Sequence, residues 1–149
     1  MNKELEKIID FAIDQEHKAV KFYQDLQKEN KFSEKKNLLK DLENMEKGHI
    51  EILNSLKNDE IENIEIKKVQ DLHISDYLIP VELSEDMSYQ DIIVIAIKKE
   101  EKAYKLYNDL ASKTDTEDAR KLFLKLASEE AKHKNIFEQI YDEEVLSNN

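Results

Sequence analysis

Residues 12–26 read AIDQEHKAVKFYQDL, and residues 96–110 read AIKKEEKAYKLYNDL. A gapless shift of 84 residues lays one on the other, pairing Ala12 with Ala96, Ile13 with Ile97, Glu16 with Glu100, Ala19 with Ala103, Tyr23 with Tyr107 and Leu26 with Leu110. The apolar members recur at steps of three and four, which is the stripe of a helix face turned to a core. The same shift runs on into a second stripe. There Leu38 meets Leu122, Leu42 meets Leu126, Glu46 meets Glu130, His49 meets His133 and Ile52 meets Ile136. Two helical hairpins of one design follow, and together they make a pseudo-symmetric four-helix bundle.

Working outward, the first stripe extends back to Leu5, so the first helix covers Leu5 to Leu26. Leu38, Leu39, Leu42, Met45, His49, Ile52, Leu53 and Leu56 form the second, with Ser33 as its expected N-cap. Ser88 with Asp91 three residues on has the form of a capping box and opens the third helix. Thr114 with Glu117 repeats that form before the fourth, whose stripe runs from Leu122 through Leu126, Phe137 and Ile140. The links near Asn30 and Thr114 are short, whereas the stretch from Asn58 to Met87, with the lone Pro80, is long enough to run the length of a bundle. Its Ile61, Ile64, Ile66, Val69 and Leu72 suit irregular chain, a short strand or a partial helix equally.

The bulk properties agree. The chain has 149 residues, the size of a single domain, and the expected architecture is one all-α domain over 1–149 with a long crossover between the second and third helices. One Gly and one Pro leave little to build hairpin turns or a Gly-rich phosphate cradle. The absence of Cys removes disulfides, thiol catalysis and cysteine-ligated iron centres. A formal charge of −11 makes nucleic acid an unfavourable partner and a bound cation a favourable one. The charged start lacks a signal-like apolar run and no stretch is long enough for a membrane span, so a soluble cytoplasmic protein is expected.

Chemistry enters through six residues. Each hairpin carries a Glu in mid-stripe of its first helix, Glu16 or Glu100, and a Glu-x-x-His pair in its second, Glu46/His49 or Glu130/His133. A three-residue step is nearly one helical turn, so such a Glu and His project from one face and both reach one metal. Chance alone yields roughly half a Glu-x-x-His pair in a chain with this much Glu and four His, so one pair means little. Two pairs at equivalent repeat positions, with the remaining Glu residues obeying the same shift on apolar faces, mean more, because buried carboxylates without a counter-charge are costly. Four carboxylates and two imidazoles form the set that holds two iron or manganese ions in bundle cores. Tyr23 and Tyr107 lie two turns after Glu16 and Glu100, placed either to fill the core or to donate a phenol hydrogen bond to a ligand carboxylate. His17 and His73 have no repeat partner and read as surface or loop histidines, while Glu43, Glu101 and Glu129 read as solvated.

The four-part order Glu16-x-x-Ala19-x-x-x-Tyr23, Glu46-x-x-His49, Glu100-x-x-Ala103-x-x-x-Tyr107 and Glu130-x-x-His133 resembles the di-iron domain of rubrerythrins, in the ferritin-like superfamily. The resemblance spans nearly the whole chain. It implies a ferritin-like four-helix bundle with Glu16, Glu46, His49, Glu100, Glu130 and His133 as metal ligands. Glu46 and Glu130 then bridge the ions, and Tyr23 and Tyr107 support them. It further implies two iron ions, with manganese or a mixed pair as alternatives, and a homodimer that reduces hydrogen peroxide or dioxygen. Two departures stand out. Ala103 takes the place of the family's additional ligand Glu, and the cysteine-ligated rubredoxin domain is missing, so re-reduction falls to a separate redox protein. Competing readings are an iron-storing ferroxidase and a metal-free structural bundle.

Overall fold

The computed structural model describes residues 3–60, 72–79 and 82–145. Four long helices account for most of them: α1 (Lys3–Gln27), α2 (Lys36–Ser55), α3 (Tyr89–Lys113) and α4 (Glu117–Ile140). The class is all-α, with the helix content of a four-helix bundle and no strand among the described residues. The contacts gather into two compact units, one built on α1 and α2, the other on α3 and α4.

In the first unit α1 packs along α2. Leu5, Ile9, Ala12, Tyr23 and Leu26 of α1 and Leu39, Leu42 and Leu53 of α2 are almost fully withdrawn from water. Burial of each leucine or isoleucine side chain supplies about 1.5–3 kcal/mol, which is what holds two otherwise polar helices together. The turn between them is a 3₁₀ helix, Asn30–Lys35, anchored by the buried Phe32. That turn displaces the expected cap: Ser33 lies inside it, α2 begins at Lys36, and no side chain caps the start. Met45 also departs from the expected stripe and is exposed, while Leu38 and Ile52 are half-buried. The buried arc of α2 is rotated away from Met45 toward Glu43, the side on which α1 presents Gln24 and Gln27.

In the second unit the predicted capping box forms. The Asp91 amide donates to Ser88 Oγ at 3.1 Å, and the Ser88 amide donates to Asp91 Oδ2 at 3.4 Å. The Thr114 box does not form. Thr114 is buried and α4 starts at Glu117, so that Glu stands at the first helical position rather than the third beyond a cap. There Glu117 and Asp118 still favour the helix electrostatically. The far ends of α3 and α4 are tied by Tyr89 Oη donating to Glu144 and by Gln90 donating to Tyr141 Oη. Both hairpins finish alike, α2 running into a π turn at Leu56–Glu60 and α4 into one at Tyr141–Val145.

Of the crossover, Ile61, Ile64, Ile66, Val69 and Pro80 lie outside the described residues. Leu72 is buried, and a 3₁₀ turn at Ile74–Tyr77 packs on α3. No described helix is long and apolar enough to cross a membrane.

Candidate metal site

Within the first unit, α1 brings Glu16 and α2 brings Glu46 and His49 into one buried triad, each side chain at most 2% exposed. His49 Nδ1 lies 2.8 Å from Glu16 Oε2 and 3.5 Å from Glu46 Oε1. The second unit repeats the arrangement more loosely. His133 Nδ1 lies 3.5 Å from Glu100 Oε2 and 3.8 Å from Glu130 Oε1, and these residues are buried to the same degree. In both units one ligand atom from each of the three side chains lies within 4.8 Å of the other two.

Such a triad follows from helix geometry. A Glu in mid-stripe faces the neighbouring helix, and that helix offers a Glu and a His one turn apart. Two carboxylates and an imidazole held out of water carry a large desolvation cost, which a cation between them offsets. Carboxylate and imidazole donors suit iron, manganese and zinc, and the absence of Cys removes the thiolates that favour zinc or copper(I). The residues present therefore fit a resident metal.

Tyr23 and Tyr107 are both about as buried as the Glu and His residues of the triads, and Phe22 packs edge-on against the Tyr23 ring with centroids 5.5 Å apart. His17 and His73 are exposed, as expected of histidines outside the repeat, and Glu101 is at the surface, 3.7 Å from Lys134. Glu129 is half-buried.

Glu43 overturns its expected place on a solvated face: it is 2% exposed, one turn before Glu46. Its carboxylate accepts from Gln27 at 2.8 Å and Gln24 at 3.1 Å, both on α1, and pairs with Lys47 at 2.7 Å and Lys40 at 3.3 Å. The Lys47 hydrogen bond above all holds its pKa at about 2. It works against burial, which pushes upward, and is aided by Gln27, Gln24 and Lys40. The lysines at i−3 and i+4 were legible as its partners. The glutamines were not, because only the pairing of α1 with α2 brings them near.

The family model for rubrerythrin matches residues 1–57 and 91–149, which take in α1, α2, α4 and all but the first two residues of α3 and leave out the crossover. The chain belongs to the rubrerythrin family. No curated protein and no solved structure gives a significant match.

Proposed function

We propose that the two triads together hold a pair of iron ions and that the protein reduces hydrogen peroxide or dioxygen, drawing electrons from a separate redox protein. The observation that supports this most is the occurrence of a buried Glu–Glu–His triad in each unit at equivalent repeat positions. Glu16, Glu100, Glu46 and Glu130 would supply the carboxylates that hold the ions, with Glu46 and Glu130 as the shared ones, and His49 and His133 would supply the nitrogen donors. A bound ferrous pair would supply the two electrons that cleavage of a peroxide O–O bond consumes along with two protons. The protein's part is positional and electrostatic. The apolar stripes exclude bulk water from the ligands, and the carboxylates balance the charge. Tyr23 and Tyr107 donate phenol hydrogen bonds that orient carboxylate ligands. In this reading the protein works as a cytoplasmic homodimer.

Ala103 is half-buried one turn beyond Glu100, and Ala19 stands likewise beyond Glu16. Both half-sites thus lack a carboxylate there, which makes them alike and would leave room at a bound ion for the oxidant. Ala103→Glu adds an anionic ligand and favours the ferric state.

The test is iron reconstitution without oxygen, elemental analysis, and stopped-flow oxidation by peroxide and by dioxygen, for the wild type and Ala103→Glu. About two ions per chain and turnover with an added reductant support the reading. Fewer than one ion per chain removes it, and loading far beyond two ions turns it toward storage. Rates unchanged in a folded, metal-loaded Ala103→Glu place position 103 away from the site.

A further inference from the structure

Between α1 and α3 every identity under the 84-residue shift is apolar, a candidate ligand or a core tyrosine, with three exceptions. These are Lys18 with Lys102, Lys21 with Lys105, and Asp25 with Asp109. On α3 the three residues grip the crossover. Lys102 Nζ donates to the Asp76 carbonyl at 3.0 Å, Lys105 Nζ sits 5.2 Å above the Tyr77 ring, and Tyr77 Oη donates to Asp109 Oδ2 at 2.7 Å. Spaced i, i+3 and i+7, they line one face of the helix and hold the turn Ile74–Tyr77 by a carbonyl, a ring and a phenol.

On α1 the same three residues at the same spacing hold no such turn among the described residues. The side chains of Lys18, Lys21 and Asp25 are 60%, 76% and 41% exposed. Lys18 lies 3.4 Å from Asp14, and Lys21 lies 2.8 Å from Asp25, both as i, i+4 pairs on the helix surface. Surface pairs of this kind contribute little and exchange readily for other partners.

We propose that the Lys18–Lys21–Asp25 face of α1 is a docking site for another protein, which presents a backbone carbonyl followed directly by a tyrosine, as Asp76–Tyr77 does. Lys18 takes the carbonyl, Lys21 covers the ring and Asp25 accepts the phenol hydrogen bond. A second copy of this chain is a poor occupant, because its own Tyr77 is buried against its own α3.

The probe is the octapeptide LHISDYLI, residues 72–79, titrated into the full-length ¹⁵N-labelled protein. Saturable amide shifts centred on Lys18, Lys21 and Asp25 are expected. They are lost in Asp25→Ala and Lys18→Ala and persist in Asp41→Ala, which changes an exposed acid on α2. Tyr77→Phe in the peptide weakens binding at least about tenfold, through loss of a hydrogen bond to a charged acceptor. Absence of saturable shifts up to the solubility limit of the peptide, or shifts that survive Asp25→Ala, overturns the proposal. Self-association of the protein alone that Asp25→Ala abolishes also overturns it and assigns the face to a second copy.

Discussion

In the hairpin of α1 and α2, His49 lies 2.8 Å from the facing carboxylate; in that of α3 and α4, His133 lies 3.5 Å from its equivalent. Beside the tighter triad stands Glu43, bonded to Gln24, Gln27, Lys40 and Lys47. At the corresponding places beside the looser one are Ala127, Asn108, Ala111, Leu124 and Ala131. One repeat thus places an ionic network next to its triad, and the other places mostly alanine there. The Glu and His positions of the two triads are identical under the repeat, and it is these residue types that offer charge and lone pairs to a cation. The neighbouring space only has to be filled and satisfied, and charge with hydrogen bonds does this as well as methyl groups do.

The strongest way to break the equivalence of the halves is to remove one imidazole at a time. His49→Ala and His133→Ala should each lower the bound metal from about two ions per chain to about one or fewer, with helix content retained. Elemental analysis after anaerobic reconstitution, beside far-ultraviolet circular dichroism, checks this. Loss of metal in one variant alone would show that the halves differ in function as well as in packing.

Next in size is the network itself. Glu43→Ala removes four hydrogen-bonding partners at a buried carboxylate and should cost about 1–3 kcal/mol in denaturant unfolding. Adding Gln27→Ala, the residue type at the corresponding place in the second hairpin, should recover part of that loss, because the half-buried Gln27 amide, which then keeps only the Tyr23 carbonyl as acceptor, is removed with it. The pH dependence has a definite sign. The folded-state pKa of Glu43, about 2, lies below its ordinary value of 4.5, so the stabilisation is present above about 4.5 and is lost as pH falls toward 2. The stability gap between wild type and Glu43→Gln should therefore narrow over that interval. A gap that is constant from pH 6 to pH 3 would mean the charge contributes nothing.

The network also marks where the sequence stops being readable. The helices, their pairing into two hairpins and the six ligand candidates were legible, because periodicity and a gapless repeat are properties of the chain itself. The Ser88–Asp91 box was legible because it closes within four residues. Ser33 was misplaced because burial of Phe32 winds the link into a 3₁₀ turn, a tertiary event. Met45 and Glu43 exchanged their expected environments for a similar reason. They flank the same stripe about equally, and α1 decides which flank is covered.

The smallest expected effect sharpens the comparison at a single backbone position. Gly48 stands between Glu46 and His49 in mid α2, where the second hairpin has Lys132. Glycine in a helix interior sacrifices more chain entropy on folding than alanine does and is justified when a side chain would collide. Here it would not, since a Cβ built at Gly48 meets nothing within 4 Å. Gly48→Ala should therefore stabilise the protein by about 0.5–1 kcal/mol, mostly by narrowing the unfolded ensemble. For a chain of this size that corresponds to a rise in Tm of roughly 1–4 °C. Because residue 48 is already helical, Glu46 and His49 keep their directions, and metal content after reconstitution should stay the same. The paired measurement separates two roles for the glycine. A higher Tm with unchanged metal content makes it incidental to the site. A higher Tm with reduced metal uptake would mean that α2 must flex at Gly48 for its triad to close on an ion, a requirement the second hairpin, with Lys132 there, does not share.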